Sequence, residues 1–137
     1  MLSARNQIKG TVTSINKGAV NAIVKLTAPG GIVISSTISL DAVTELGLEE
    51  GKEAYAVIKA TSVMIGMGDL KLSARNQLEG DVIDINKGAV NAIVKLKVSD
   101  DVIISSTISL SAVEELGLSV GAKAKAVIKA TSVMMAI

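Results

Sequence analysis

Apolar and polar residues alternate with a period of two along much of this chain, a pattern typical of β-strands. From Val20 to Leu26 every second residue is apolar, and Asn21 and Lys25 lie between them, although Ile23 interrupts the polar side. The segment 32–40 repeats the pattern, with aliphatic side chains on one face and a row of hydroxyls on the other: Ser35, Thr37 and Ser39. Both segments are therefore predicted to be strands with one buried face.

Three more strands and one short helix complete the pattern. Residues 7–15 are predicted to form the first strand, with Gly10 at a bulge or a close backbone approach, and residues 52–60 and 61–65 the last two. Residues 41–46 are predicted to be helical. Asp41 would begin this helix, or Ser111 with Glu114 as a capping box in the second copy, and Gly47 or Gly117 would end it.

This unit occurs twice. Residues 2–64 match residues 72–134 at a constant offset of 70, and about two-thirds of the paired positions are identical. Two repeats are too few for a solenoid, so we expect each to be a closed unit. The chain is predicted to be all-β, with an OB-fold-like five-stranded barrel and one short helix duplicated in tandem: residues 1–67 form the first domain, 68–71 a linker and 72–137 the second domain.

Composition and charge narrow the function. Apolar residues make up 49% of the chain and aromatic residues 1%, so each small core is aliphatic, and we expect domains of this size to associate. The net charge of +1 gives no field that would attract nucleic acid or a membrane. With no cysteine, no export signal and no apolar run of roughly 18 residues, the chain is expected to be cytoplasmic and not membrane-embedded.

Several kinds of active site are excluded by the residues that are missing. The chain has no histidine and no cysteine, so it lacks the usual ligands of transition-metal cations, the commonest general base and the best thiol nucleophile. Neither a P-loop nor a dinucleotide-binding glycine motif is present. Acidic pairs are not retained between the repeats, as carboxylate catalysis would require. We therefore predict that the protein is not an enzyme and has no organic cofactor.

The basic residues, by contrast, recur in both copies. Arg5 and Lys59 have counterparts at the same positions of the second repeat, and small donor residues surround them. This composition suits a tetrahedral oxyanion, which needs several N–H and O–H donors around it and little bulk. The alternative is that these are solvated charges at strand ends, and an ordinary outward β-surface is an alternative interpretation of the hydroxyl row of residues 35–37.

The blocks SARNQ, KGAVNAIVKL, ISSTISL and IKAT together resemble the molbindin family, the Mop or TOBE-type molybdate-binding domains, over nearly the whole chain, twice. The resemblance implies OB-fold barrels that bind molybdate or tungstate between domains, assembled as a homotrimer. It implies storage and intracellular homeostasis of these oxyanions. The alternatives are an OB-fold nucleic-acid-binding module, which normally stacks bases on aromatic residues that this chain lacks, and a purely structural oligomer.

Two types of oxyanion site are carried over by motif. The first would use the segment before the first strand, together with one serine and the segment 59–62 from a neighbouring surface: Ser3, Ala4, Arg5, Asn6, Ser39, Lys59, Ala60, Thr61 and Ser62, and in the second repeat Ser73, Ala74, Arg75, Asn76, Ser109, Lys129, Ala130, Thr131 and Ser132. The second would use a turn near a symmetry axis: Gly18, Ala19, Val20 and Asn21, and Gly88, Ala89, Val90 and Asn91.

Overall fold

The structure is a computed structural model that describes residues 2–137. Each repeat contributes five strands and one seven-residue helix. The first repeat holds β1 (Asn6–Lys17), β2 (Asn21–Ala28), β3 (Ile32–Ser39), α1 (Leu40–Leu46), β4 (Glu53–Ile58) and β5 (Met64–Gly66). The second holds β6 (Asn76–Lys87), β7 (Asn91–Ser99), β8 (Val102–Ser109), α2 (Leu110–Leu116), β9 (Lys123–Ile128) and β10 (Met134–Ala136). A short 3-10 turn precedes β5 and another precedes β10. In residues 2–137 no helix is long and apolar enough to cross a membrane.

The long first strand of each repeat organises its sheet. The first half of β1 pairs with β4 and its second half with β2, both antiparallel, and the register shifts between Val12 and Ser14. Such a bulge increases the local twist, so one strand can belong to two curled parts of a sheet. The two sheets have the same plan and the predicted tandem OB-like fold is confirmed.

The fifth strands are exchanged between the repeats. The sheet built on the first repeat has the order β10-β4-β1-β2-β3, and the sheet built on the second has the order β5-β9-β6-β7-β8. Met134 pairs with Val57, and Met64 pairs with Val127. The expectation that each repeat closes on itself is therefore wrong, because each sheet is completed by a strand of the other repeat.

Buried polar side chains hold this exchange. The Ser36 hydroxyl donates a hydrogen bond of 2.5 Å to the carbonyl of Val133, the residue just before β10. The Ser106 hydroxyl makes the same bond to the carbonyl of Val63. Both serines are fully buried, on the same face of their strands as the aliphatic residues. No buried side-chain nitrogen or oxygen within residues 2–137 lacks a hydrogen-bond partner. The polar groups inside the fold therefore connect one repeat to the other.

The core is aliphatic and continuous between the repeats. The largest of its fully buried side chains lie in the strands or just before the fifth strand of each repeat: Val12, Val24, Leu26, Ile34, Ile58, Val63, Val82, Val94, Leu96, Ile104, Ile128 and Val133. The inward face predicted for β2 is confirmed for Ala22, Val24 and Leu26, but Val20 lies beyond the strand and is 72% exposed.

Two local predictions meet different outcomes. Gly47 and Gly117 end the helices in the left-handed conformation, as predicted. The start of each helix is different: the Ser39 hydroxyl accepts from the Ala42 amide at 3.0 Å, so Ser39 is the N-cap and Asp41 lies inside the first turn. In the second repeat Ser109 has this role, and the predicted capping box of Ser111 with Glu114 is wrong.

Candidate functional site

Two similar pockets lie at corresponding positions of the repeats. Each forms where the segment before the first strand meets the segment after the fourth. Because Asn6 pairs with Ile58 at the end of the β1–β4 ladder, Arg5 and Lys59 must emerge at the same end of the sheet. The cavity there measures about 740 Å³, and the corresponding cavity of the second repeat about 420 Å³. The sheet register therefore explains why two segments more than fifty residues apart form one pocket.

The first pocket brings together most of the residues predicted for it. Two segments of the first repeat contribute to its lining: Ser3, Ala4 and Arg5, and Lys59, Ala60 and Thr61. The corresponding segments of the second repeat line the second pocket: Ser73, Ala74 and Arg75, and Lys129, Ala130 and Thr131. Alanine at the centre of each segment leaves room for a ligand to approach the backbone.

Local hydrogen bonds fix both segments. The Gln7 side chain donates to the carbonyl of Ala4 at 3.0 Å and to that of Leu2 at 3.2 Å, which ties the first segment to β1. In the second segment the Ser62 amide donates to the Lys59 carbonyl at 2.9 Å and closes the 3-10 turn. The backbone at the pocket is thus held in place by the protein's own polar groups.

The positive charge at each pocket is not neutralised within the part of the chain that the structure describes. Arg5 and Lys59, and their counterparts Arg75 and Lys129, are exposed and form no ion pair with any carboxylate of residues 2–137. The described ion pairs lie elsewhere. A pocket with two free cationic groups and several neutral donors attracts a small anion.

Some charges outside the two pockets are not kept between the repeats, since Lys9 and Glu53 correspond to Glu79 and Lys123. Lys9 and Glu53 form an ion pair of 3.4 Å in the first repeat, whereas Asp81 and Lys123 form one of 2.9 Å in the second. The hydrogen bond to Asp81, together with its charge, raises the pKa of Lys123 above its ordinary value. Asp81 corresponds to Thr11 of the first repeat, so the two ion pairs do not occupy equivalent positions, and neither of them lines one of the two pockets.

Some predicted site residues lie apart from the pockets. Ser39 pairs with Asn21, and the Leu40 amide donates to the Val20 carbonyl at 3.0 Å, so Ser39 adjoins the Gly18–Asn21 turn. The second repeat has the same arrangement around Ser109 and the turn 88–91. Ser62 and Ser132 follow the pocket segments without lining the cavities.

Asn6 and Asn76 are placed inside the fold. Each is 2% exposed, and its side-chain amide binds the backbone of the opposite repeat: Asn6 bonds Ser105, and Asn76 bonds Ser35, both as donor and as acceptor at 2.8 Å. The structure therefore gives these two residues an inter-repeat role.

Sequence reasoning missed part of each pocket. Thr107 of the second repeat lines the first pocket, and Thr37 of the first repeat lines the second. Apolar side chains form the remaining walls, among them Leu46, Val57 and Met135 in the first pocket. Thr37 belongs to the repeated ISSTISL block, which was the available signal, but the sequence could not show that the strand borders the other repeat's pocket.

Comparison with known proteins finds similarity along nearly the whole chain. The TOBE domain model matches residues 2–65 and again residues 72–135. The crystal structure of a cytoplasmic molybdate-binding protein, ModG, determined with molybdate bound, superposes with a TM-score of 0.95 at 43% identity, covering 99% of this chain and 98% of that one.

Two curated relatives show how the domain is used singly and within a longer protein. A probable molybdenum-pterin-binding protein of Haemophilus influenzae is 67% identical over 66 residues, which cover 48% of this chain and 96% of that protein. The molybdenum transport protein ModE of Azotobacter vinelandii is 38% identical over 136 residues, 98% of this chain. The chain spans about half the length of ModE, since the match covers 50% of it.

Proposed function

This chain belongs to the Mop/TOBE family, with two TOBE domains in tandem, and from this premise we propose that it binds and stores molybdate, or the similar dianion tungstate. The observation that carries the proposal is the pair of cationic pockets, repeated at the spacing of the sequence repeat. A solved structure that superposes over 99% of the chain belongs to a protein that binds molybdate.

The chemistry of the pocket suits a tetrahedral dianion. The Arg5 guanidinium and the Lys59 ammonium supply two positive charges, and the hydroxyls of Ser3 and Thr61 supply neutral donors. Charge-assisted hydrogen bonds of this kind are stronger than neutral ones and replace the water shell of the anion. In the second pocket Ser73, Arg75, Lys129 and Thr131 have the same roles, and the small Ala4, Ala60, Ala74 and Ala130 allow close approach.

A second type of site is proposed at the β1–β2 and β6–β7 turns. The Gly18 amide donates to the Asn21 carbonyl at 2.7 Å, which closes the turn and presents Val20 and its neighbours outward, beside Ser39. The turn at residues 88–91, beside Ser109, is the equivalent. Each turn is small and exposed, so several copies could meet around a symmetry axis and enclose an anion.

We propose that the chain assembles as a homotrimer and that neighbouring subunits cover the pockets. Exposed apolar side chains support this assembly, because Leu2, Met134 and Ile137 line the first pocket at 56%, 47% and 63% exposure. Leu72 and Met64 have corresponding positions at the second pocket, with 49% and 46% exposure. Apolar surface beside a functional pocket is typical of an interface. Light scattering should give three times the chain mass of 14.0 kDa.

The proposed activity is reversible binding in the cytoplasm, without a catalytic step. ModG, the structural neighbour, is described as cytoplasmic, and the relatives are binding or transport proteins. Nucleic-acid binding is not favoured, since the aromatic content is 1% and base stacking needs aromatic side chains. Tight, salt-sensitive binding of a short single-stranded oligonucleotide would contradict the proposal.

Elemental analysis tests the function directly. The protein is purified from cells supplied with molybdate, desalted, and analysed for molybdenum, phosphorus and sulfur. We expect molybdenum to remain with the protein, and a large excess of sulfate should not displace it. Protein free of molybdenum that also gives no heat on titration with molybdate would contradict the proposed function.

A further inference from the structure

Each pocket is bordered by an edge strand of the opposite repeat. β8 is the last strand of its sheet, with β7 on one side and no strand on the other among residues 2–137. Its open side contacts the 3-10 turn Ala60–Ser62, which carries part of the first pocket. Thr107, near the end of β8, lines that pocket. β3 and Thr37 have the same relation to the second pocket.

The hydrogen bonds of Ser105 show which way the Thr107 backbone points. Both the N–H and the C=O of Ser105 bond the Asn6 side chain of the first repeat, so they face away from β7. Backbone groups of alternate residues in an antiparallel strand point the same way. The N–H of Thr107, two residues further on, therefore faces the open side, towards the first repeat.

The backbone amides of Ser105 and Thr107 differ in their hydrogen-bond partners. The Ser105 amide is satisfied by Asn6 at 2.8 Å. The Thr107 amide and hydroxyl have no hydrogen-bond partner within residues 2–137, although Thr107 is partly buried and borders the cavity that Arg5 and Lys59 line. Polar groups removed from bulk water normally find a partner. Thr107 thus adds two donors from the second repeat to a pocket whose cations belong to the first.

We propose that Thr107 is an oxyanion ligand of the first pocket, and Thr37 of the second, so that each binding site is completed by the other repeat. This inference rests on the proposed function, because the anion is the one bound by Arg5 and Lys59. A tetrahedral anion accepts hydrogen bonds on all its sides, and Thr107 adds donors of the second repeat to those that Arg5 and Lys59 supply from the first. Binding then depends on the docking of the two repeats.

Calorimetric titration with molybdate tests the inference on one pocket at a time. Arg75→Ala disables the second pocket, and Thr107→Val is then compared with Thr107→Ser and with Thr11→Val in that background. Thr11 is an exposed threonine on a strand that borders neither pocket. We expect Thr107→Val to weaken binding by about tenfold or more, as loss of a hydrogen bond to a charged group does. Thr107→Ser keeps the hydroxyl and should restore most of the affinity.

In the reciprocal experiment the first pocket is disabled instead, and the order of the two threonine variants in affinity should be reversed. With Arg5→Ala disabling the first pocket, Thr37→Val should be more damaging than Thr107→Val. The backbone donor is followed separately by NMR, where the Thr107 amide proton should move downfield when molybdate is added. Unfolding curves of each variant confirm that the protein titrated is folded.

The possible results separate the two proposals. If the wild-type chain binds molybdate and Thr107→Val matches Thr11→Val in affinity, the cross-repeat ligand is overturned while the proposed function stands. If the wild-type chain gives no binding heat, both are overturned. The inference is supported if Thr107→Val weakens molybdate binding and Thr107→Ser restores it in the Arg75→Ala background. In the Arg5→Ala background Thr37→Val should then be the more damaging variant.

Discussion

The side-chain amide of Asn6 holds the backbone of Ser105, 99 residues further along the chain, through two hydrogen bonds of 2.8 Å. An asparagine that both donates to and accepts from one residue imitates a neighbouring strand. It therefore covers part of the open edge of β8, which would otherwise present unpaired groups. Asn76 does the same for Ser35.

Replacing Asn6 with alanine should destabilise the protein. The substitution leaves the Ser105 amide and carbonyl without their partners in a partly buried place, at a cost of about 1–3 kcal/mol for each group that water cannot reach. Urea unfolding measures the loss. Asn16→Ala is the matched control, because Asn16 is exposed on the same strand, and it should change the free energy of unfolding little. Equal stability of the two variants would contradict the inter-repeat role.

Replacing Ser36 with alanine should weaken the strand exchange. Its buried hydroxyl donates to the Val133 carbonyl, which the substitution leaves unsatisfied in an aliphatic environment. We expect a loss of about 1–3 kcal/mol in the free energy of unfolding. Ser35→Ala is the control, since the Ser35 hydroxyl makes no hydrogen bond within residues 2–137 and only its backbone is used. A loss as large in Ser35→Ala would show that the hydroxyl of Ser36 is not responsible.

The alternation of side chains predicted the strands and their buried faces, and the glycines at 47 and 117 predicted the helix ends, because these are local properties of the backbone. The exchange of β5 and β10 could not be predicted in this way. The strands they pair with, β4 and β9, carry the same residues at 54 and 124 and from 56 to 58 and 126 to 128. Pairing within a repeat and between repeats would therefore use nearly the same contacts.

The same reasoning explains which site residues were found. Arg5 and Lys59 could be identified because they recur amid small donors, and the sheet register then places them together. Asn6 was grouped with them by its position beside Arg5. Its direction, inward to Ser105, depends on the opposite repeat, and so does the approach of Thr107 to the first pocket. The local sequence around a residue does not show which part of the opposite repeat it contacts.

Gly10 should not tolerate a side chain. A Cβ placed there would lie 2.5 Å from the Thr27 carbonyl oxygen, so the close backbone approach predicted from the sequence is confirmed. Both partners belong to the paired backbones of β1 and β2, and neither can move without breaking the ladder. Gly10→Ala should cost about 1–3 kcal/mol or more, measured by thermal unfolding. Thr11→Ala, at the exposed neighbouring position, should unfold near the wild-type temperature; a similar drop in both would contradict the steric explanation.

The double variant Arg5→Ala with Arg75→Ala should lose most molybdate binding and keep its fold and assembly. Both side chains are exposed and form no ion pair within residues 2–137, so removing them takes charge from the pockets but little from the core. Molybdate should raise the melting temperature of the wild-type protein, since a ligand that binds only the folded state stabilises it, and should raise that of the variant much less. Lys25→Ala with Lys95→Ala removes the same net charge from exposed strand positions away from both pockets and should retain the shift. An equal shift in all three proteins would mean that the anion binds elsewhere.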